Sequence, residues 1–147
     1  NRQMDVMASA LVENLKDIGI AAEAIPFTAQ SDELNGGQFD LGSGNFMIIP
    51  TGDPANILGY LTTTNVNNYG HYSNPEYDAI YEELVVTMDT AKRKELIGKL
   101  QKIANDDAAV FVGGYFNFNI CGGPSVTGVH NPTCDYYWVT ADIKPAQ

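Results

Sequence analysis

The apolar residues of the chain fall first into a helical period. Met4, Met7, Ala8, Leu11, Val12, Leu15 and Ile18 recur at i, i+3, i+4 and i+7, which predicts a helix with one apolar face. Gly19 is placed to end it as a left-handed cap. Ile20 to Phe27 then reads as a strand, with Pro26 near its end. Ser31-Asp32-Glu33-Leu34 reads as one helical turn, stopped by Asn35-Gly36-Gly37. Phe39 to Ile49 contains a second strand, strongest from Asn45 onward. The order suggests a βαβ-type layer whose opening strand is missing, so the chain reads as cut from a longer one.

Pro50-Thr51-Gly52-Asp53-Pro54 is a turn by composition, and a short helix is expected from Ala55 to Leu61. Thr62 to Ser73 is polar and loop-like. Asn74 followed by Pro75 is the signature of a helix start, since the amide caps and proline suits the first turn. The stripe behind it is Tyr77, Ile80, Tyr81, Leu84, Val85 and Met88. A second helix from Asp89 or Thr90 carries Leu96, Ile97, Leu100, Ile103 and Ala104 on one side. The short break at Met88-Asp89-Thr90 predicts an antiparallel pair. Ala108 to Ile120 alternates Phe116, Phe118 and Ile120 with Tyr115, Asn117 and Asn119, the pattern of a strand. The remaining tail is extended, with Tyr136-Tyr137-Trp138-Val139 its one strong apolar piece.

Composition narrows the function classes. With 147 residues, 44% hydrophobic and 18% charged, the chain suits one globular domain. Eight basic against 18 acidic residues give a formal charge of −10, which argues against a nucleic-acid partner, because phosphate binding needs clustered Lys and Arg. The one basic run, Lys92-Arg93-Lys94, lies in an amphipathic helix and reads as a solvated face. No stretch reaches the roughly 18–20 apolar residues of a membrane span.

The chemistry-bearing residues are sparse. His71 and His130 have no second ligand at metal spacing, so neither a metal nor a cofactor is expected. Cys121 and Cys134 lack the Cys-x-x-Cys spacing of zinc sites. They either close one disulfide or, more simply, stay as buried or half-buried thiols. No Gly-x-Ser-x-Gly elbow or phosphate loop occurs, and Asp106-Asp107 reads as the solvated end of a helix. There is thus no catalytic set, and an enzyme is not expected. The polar and aromatic residues around the 50–53 turn and the 62–73 loop suit a small-molecule cleft. In the plainer reading Tyr69 and Tyr72 only cover the neighbouring helix.

Five segments carry a resemblance. They are the helix end Leu11-Val12-Glu13-Asn14-Leu15-Lys16-Asp17-Ile18-Gly19-Ile20, the strand lead-in Gly37-Gln38-Phe39-Asp40, Asp53-Pro54, Tyr72-Ser73-Asn74-Pro75-Glu76-Tyr77-Asp78, and Arg93-Lys94-Glu95-Leu96 with Gln101-Lys102-Ile103 and Asp106-Asp107. In this order and spacing, over about residues 11–118, they resemble the peptide- and nickel-type (family 5) solute-binding proteins of ABC importers. The resemblance implies an α/β fold, one lobe of a two-lobed periplasmic-binding-protein type II-like structure with helices packed on a small mixed sheet. Residues 1–147 would form part of the second, C-terminal lobe, and the 126–147 tail would return toward a first lobe absent from this chain. A small molecule or peptide would be captured by closure of the two lobes, and the protein partners would be the permease and its ATPase. The location implied is the periplasm or the outer face of the cytoplasmic membrane, with a lipid anchor in a Gram-positive cell.

The same resemblance places Met47, Pro50, Thr51 and Asp53 on the cleft, with Tyr69 and His71 beside them. Peptide binders of the family carry a Trp and an Asp in this segment. Without a gap those positions fall on Met47 and Pro50; with a three-residue deletion Asp53 becomes the carboxylate. The Trp is absent in either register, which leaves oligopeptides, chelated metals and oligosaccharides open. Asp53 has a competing role as cap of the helix after Pro54, and His71 a competing role as a plain surface residue. Two other classes stand beside this reading: a standalone acidic interaction module, and a small hydrolytic enzyme.

Overall fold

The computed structural model describes residues 2–26, 34–45, 52–115, 120–130 and 140–146. They divide into two units, Asn1–Met47 with Pro54–Gly113, and Ile48–Asp53 with Gly114–Gln147. Among the described residues the architecture is helix-dominated, with one two-stranded antiparallel sheet.

In the first unit, α1 spans Arg2–Asp17. Its apolar positions Met4, Met7, Ala8, Leu11, Val12 and Leu15 are all half-buried, as the periodicity predicts, but Ile18, the last of the expected stripe, lies past the helix end and is exposed. The helix ends where expected: Gly19 takes φ 84°, its N–H donates to Lys16 at 2.9 Å, and the Ile20 N–H donates to Leu15 at 2.9 Å. These two bonds form a Schellman cap, which satisfies carbonyls that the last turn leaves without partners.

The core of this unit is built from α2 (Ala55–Gly59), α3 (Pro75–Val86) and α4 (Thr90–Asp106). Leu58, Tyr77, Leu84, Leu96, Leu100 and Ala104 form one buried cluster, with Ile80, Tyr81, Ile97 and Ile103 packed around it. Tyr77, Leu84, Leu96 and Leu100 are fully buried, and each such side chain contributes on the order of 1.5–3 kcal/mol. Asn74 caps α3 by accepting from the Glu76 and Tyr77 N–H groups, and Pro75 occupies the first turn. Asp89 caps α4 by accepting from the Lys92 N–H at 2.7 Å. The end of α3 meets the start of α4 through Arg93 and Leu84, and the start of α3 meets the end of α4 through Asn74 and Asp107, so the pair is antiparallel. Of the expected stripe, Val85 is half exposed, and Met88, beyond the end of α3, is 90% exposed.

In the second unit β1 (Val126–Thr127) pairs with β2 (Lys144–Pro145), in the register Val126 to Pro145 and Thr127 to Lys144. Gly128, at φ 75°, continues this close approach: a side-chain carbon there would sit against the backbone of Asp142.

The expected mixed sheet beneath the helices is not found among the described residues. Residues 20–26 and 109–115 take no strand pairing and are almost entirely exposed. A strand owes its stability to a partner, and alternation alone does not supply one. The strongest part of the second expected strand, the Phe116–Asn119 alternation, Tyr136–Val139, Ser31–Glu33 and Cys134 lie outside the described residues. Cys121 is a free thiol and is exposed, in contrast to the expected burial. No described helix is long and apolar enough to cross a membrane.

Candidate functional site

The 62–73 loop is ordered by one buried side chain. Asn68, only 9% exposed, donates from Nδ2 to the carbonyl oxygens of Thr62 (3.2 Å) and Tyr72 (2.7 Å). Its Oδ1 accepts the Tyr72 N–H at 3.1 Å. A buried amide must find partners for both its ends, and here those partners are the two ends of the loop. One further bond ties the loop to α3, from the Thr63 N–H to Asp78 Oδ1 at 2.9 Å, and another closes the loop on itself, from Thr63 Oγ1 to Ser73 Oγ at 3.2 Å.

A second tie joins the loop to the end of α4. Asp107 Oδ2 accepts from the Tyr72 hydroxyl at 2.5 Å and from Asn74 Nδ2 at 2.9 Å. These two donors hold the Asp107 carboxyl below its ordinary value. Burial, followed by the bond to Asp107, pushes the Tyr72 phenol up to about 12. The Tyr72 ring also stands edge-on to that of Tyr77, 5.8 Å between centroids.

The expected cleft residues are distributed as follows. Met47, Pro50 and Thr51 lie outside the described residues. Asp53 is half-buried and belongs to the second unit, whereas Tyr69 and His71 belong to the first. The residue at the N-cap position of α2 is Pro54, which makes no side-chain cap bond. Tyr69 is half-buried and its hydroxyl bonds Asn67 Oδ1 at 3.2 Å. His71 is exposed, at φ 50°, with its N–H bonded to the Asn68 carbonyl at 3.0 Å. The turn at Gly37 comes close to His71 Nε2, 3.8 Å from where a side-chain carbon would be. Tyr72 does cover the neighbouring helix, as the plainer reading of the sequence has it.

Two readings of charged residues change. Within the run Lys92-Arg93-Lys94, Lys92 pairs at the surface with Glu83 (3.4 Å), but Arg93 is half-buried. Arg93 Nη1 donates to the carbonyl oxygens of Leu84 (2.8 Å) and Thr87 (2.9 Å), satisfying the end of α3. Asp107 is likewise more than a solvated helix end. Asn68 is thus the residue that sequence reasoning passed over, while Arg93 and Asp107 were read there without these partners. No group of three His, Cys, Asp or Glu able to hold a metal ion occurs among the described residues.

No family model matches the chain, and no curated protein or solved structure matches it either.

Proposed function

We propose that the chain is part of the second lobe of a peptide- or nickel-type solute-binding protein, capturing a small solute outside the cytoplasmic membrane for an ABC permease and its ATPase. One observation carries the reading. Tyr72 and Asn74, in the Tyr-Ser-Asn-Pro segment of the resemblance, bond to Asp107 of its acidic helix exit, up to 35 positions away. A third residue of the resemblance, Arg93, closes the other end of the same helix pair. Motif residues that bond one another across a fold support a shared architecture better than motif order alone. The 62–73 loop, with Tyr69 and His71, is the proposed ligand-facing segment, and affinity would need the partner lobe.

The experiment is to read the coding sequence on both sides of residues 1–147. An export signal and a first lobe upstream support the reading, and the full product is then titrated with oligopeptides, nickel chelates and oligosaccharides. A start codon directly before residue 1, with no export signal, sinks it.

A second reading has its own observation. Val110, Phe111 and Val112 are 47–82% exposed in consecutive positions, which favours an interaction module. Sedimentation of the chain separates the two, since self-association that is lost on F111S belongs to the interaction reading.

A further inference from the structure

The 62–73 loop and the segment leaving α4 share a single side chain. Asp107 is the last residue before the chain turns through Ala108, which takes the left-handed conformation at φ 51°. The Ala108 N–H donates to Asn105 at 3.1 Å, and the Ala109 N–H donates to Ala104 at 2.9 Å, closing a Schellman cap without glycine. An L side chain is disfavoured there, so this exit needs support from outside the helix. Asp107 supplies it by accepting from Tyr72 and Asn74, at the start of the other helix of the pair. The Tyr72 backbone, in turn, is held in the grip of Asn68, which closes the loop carrying Tyr69 and His71.

From this geometry we infer that Asp107 is a latch coupling two segments, the 62–73 loop and residues 108–111, so that release of one loosens the other. The helix pair between them stays rigid, because its core of Tyr77, Leu84, Leu96 and Leu100 lies on neither segment. The latch holds irrespective of whether the chain binds a solute. It makes the Tyr69–His71 loop responsive to whatever engages the segment beyond α4, and conversely.

Amide hydrogen exchange on the intact chain tests the inference. Tyr72→Phe removes only the donor hydroxyl and keeps the ring against Tyr77. The expected result is faster exchange, about fivefold, in both 62–73 and 108–111, with the amides of Leu84 and Leu100 unchanged. Asp107→Ala should reproduce the pattern. Asp107→Asn keeps an acceptor oxygen and should move both segments less. A response confined to the loop, or one shared equally by the α3–α4 core, overturns the latch.

Discussion

The hydroxyl of Tyr77 donates a 2.8 Å hydrogen bond to the carbonyl oxygen of Leu58, deep in the core between α3 and α2. The ring is fully buried, and burial, with the neighbouring Tyr72, Tyr81 and Asp78 charges adding to it, drives the phenol far above its ordinary range. Tyr77→Phe keeps the packing but strands a buried carbonyl, so it should cost about 1–2 kcal/mol. Urea unfolding measures this directly. An unchanged midpoint would mean that the carbonyl finds water instead.

Arg93 ends α3 from outside that helix. Arg93→Ala should destabilise the chain by about 1–3 kcal/mol, because two carbonyls lose a charged donor at a half-buried position. Arg93→Lys should recover less than half of the loss, since a single ammonium on a flexible stem replaces a planar donor. Equal stability of the Lys and Arg forms would reduce the residue to a surface charge.

Acid should weaken the tie at Asp107. Its folded value lies below the unfolded one of about 4, so its contribution is present above that pH and fades as the pH falls through the folded value. Tyr72 acts at the other extreme. Its value is raised to about 12, so stability falls as the pH climbs from about 10 toward that value. Denaturant midpoints from pH 2 to 6 should show a slope that shrinks in Asp107→Asn, and Tyr72→Phe should flatten the alkaline fall. Identical profiles in variants and parent would remove both assignments.

Ala108 stands where a glycine would be at ease. Ala108→Gly should raise stability by about 0.5–1 kcal/mol, the left-handed strain relieved outweighing the added freedom of the unfolded chain. Thermal unfolding provides the measurement, and a lower melting temperature would show that the exit is not strained.

The helical part of the fold was legible because helices are local. The three- and four-residue spacing of Met4 to Leu15, the Asn74-Pro75 start and the Leu96 to Ala104 stripe all appear as read. Gly19 announced its cap; Ala108 forms the same motif with a residue that gives no such signal. Extended segments were less legible, since the alternation of Ala108 to Ile120 encodes a face without naming a partner. The candidate site was legible only as a region. Asn68 is one of several asparagines in its loop, and only the structure singles it out as the buried one. Arg93 and Asp107 looked like ordinary surface charges because their partners, Leu84 and Tyr72, are set by the helix pairing.

The three-residue connection between α3 and α4 also has a kinetic side. Closing so short a loop carries little entropic cost, and helices of this length form in about a microsecond. The β1–β2 pair must instead bring together Val126 and Pro145 from across a long excursion. Local pairing outruns distant pairing. On a nascent chain the α3–α4 hairpin therefore closes first and serves as the seed against which Leu58 and α2 then settle.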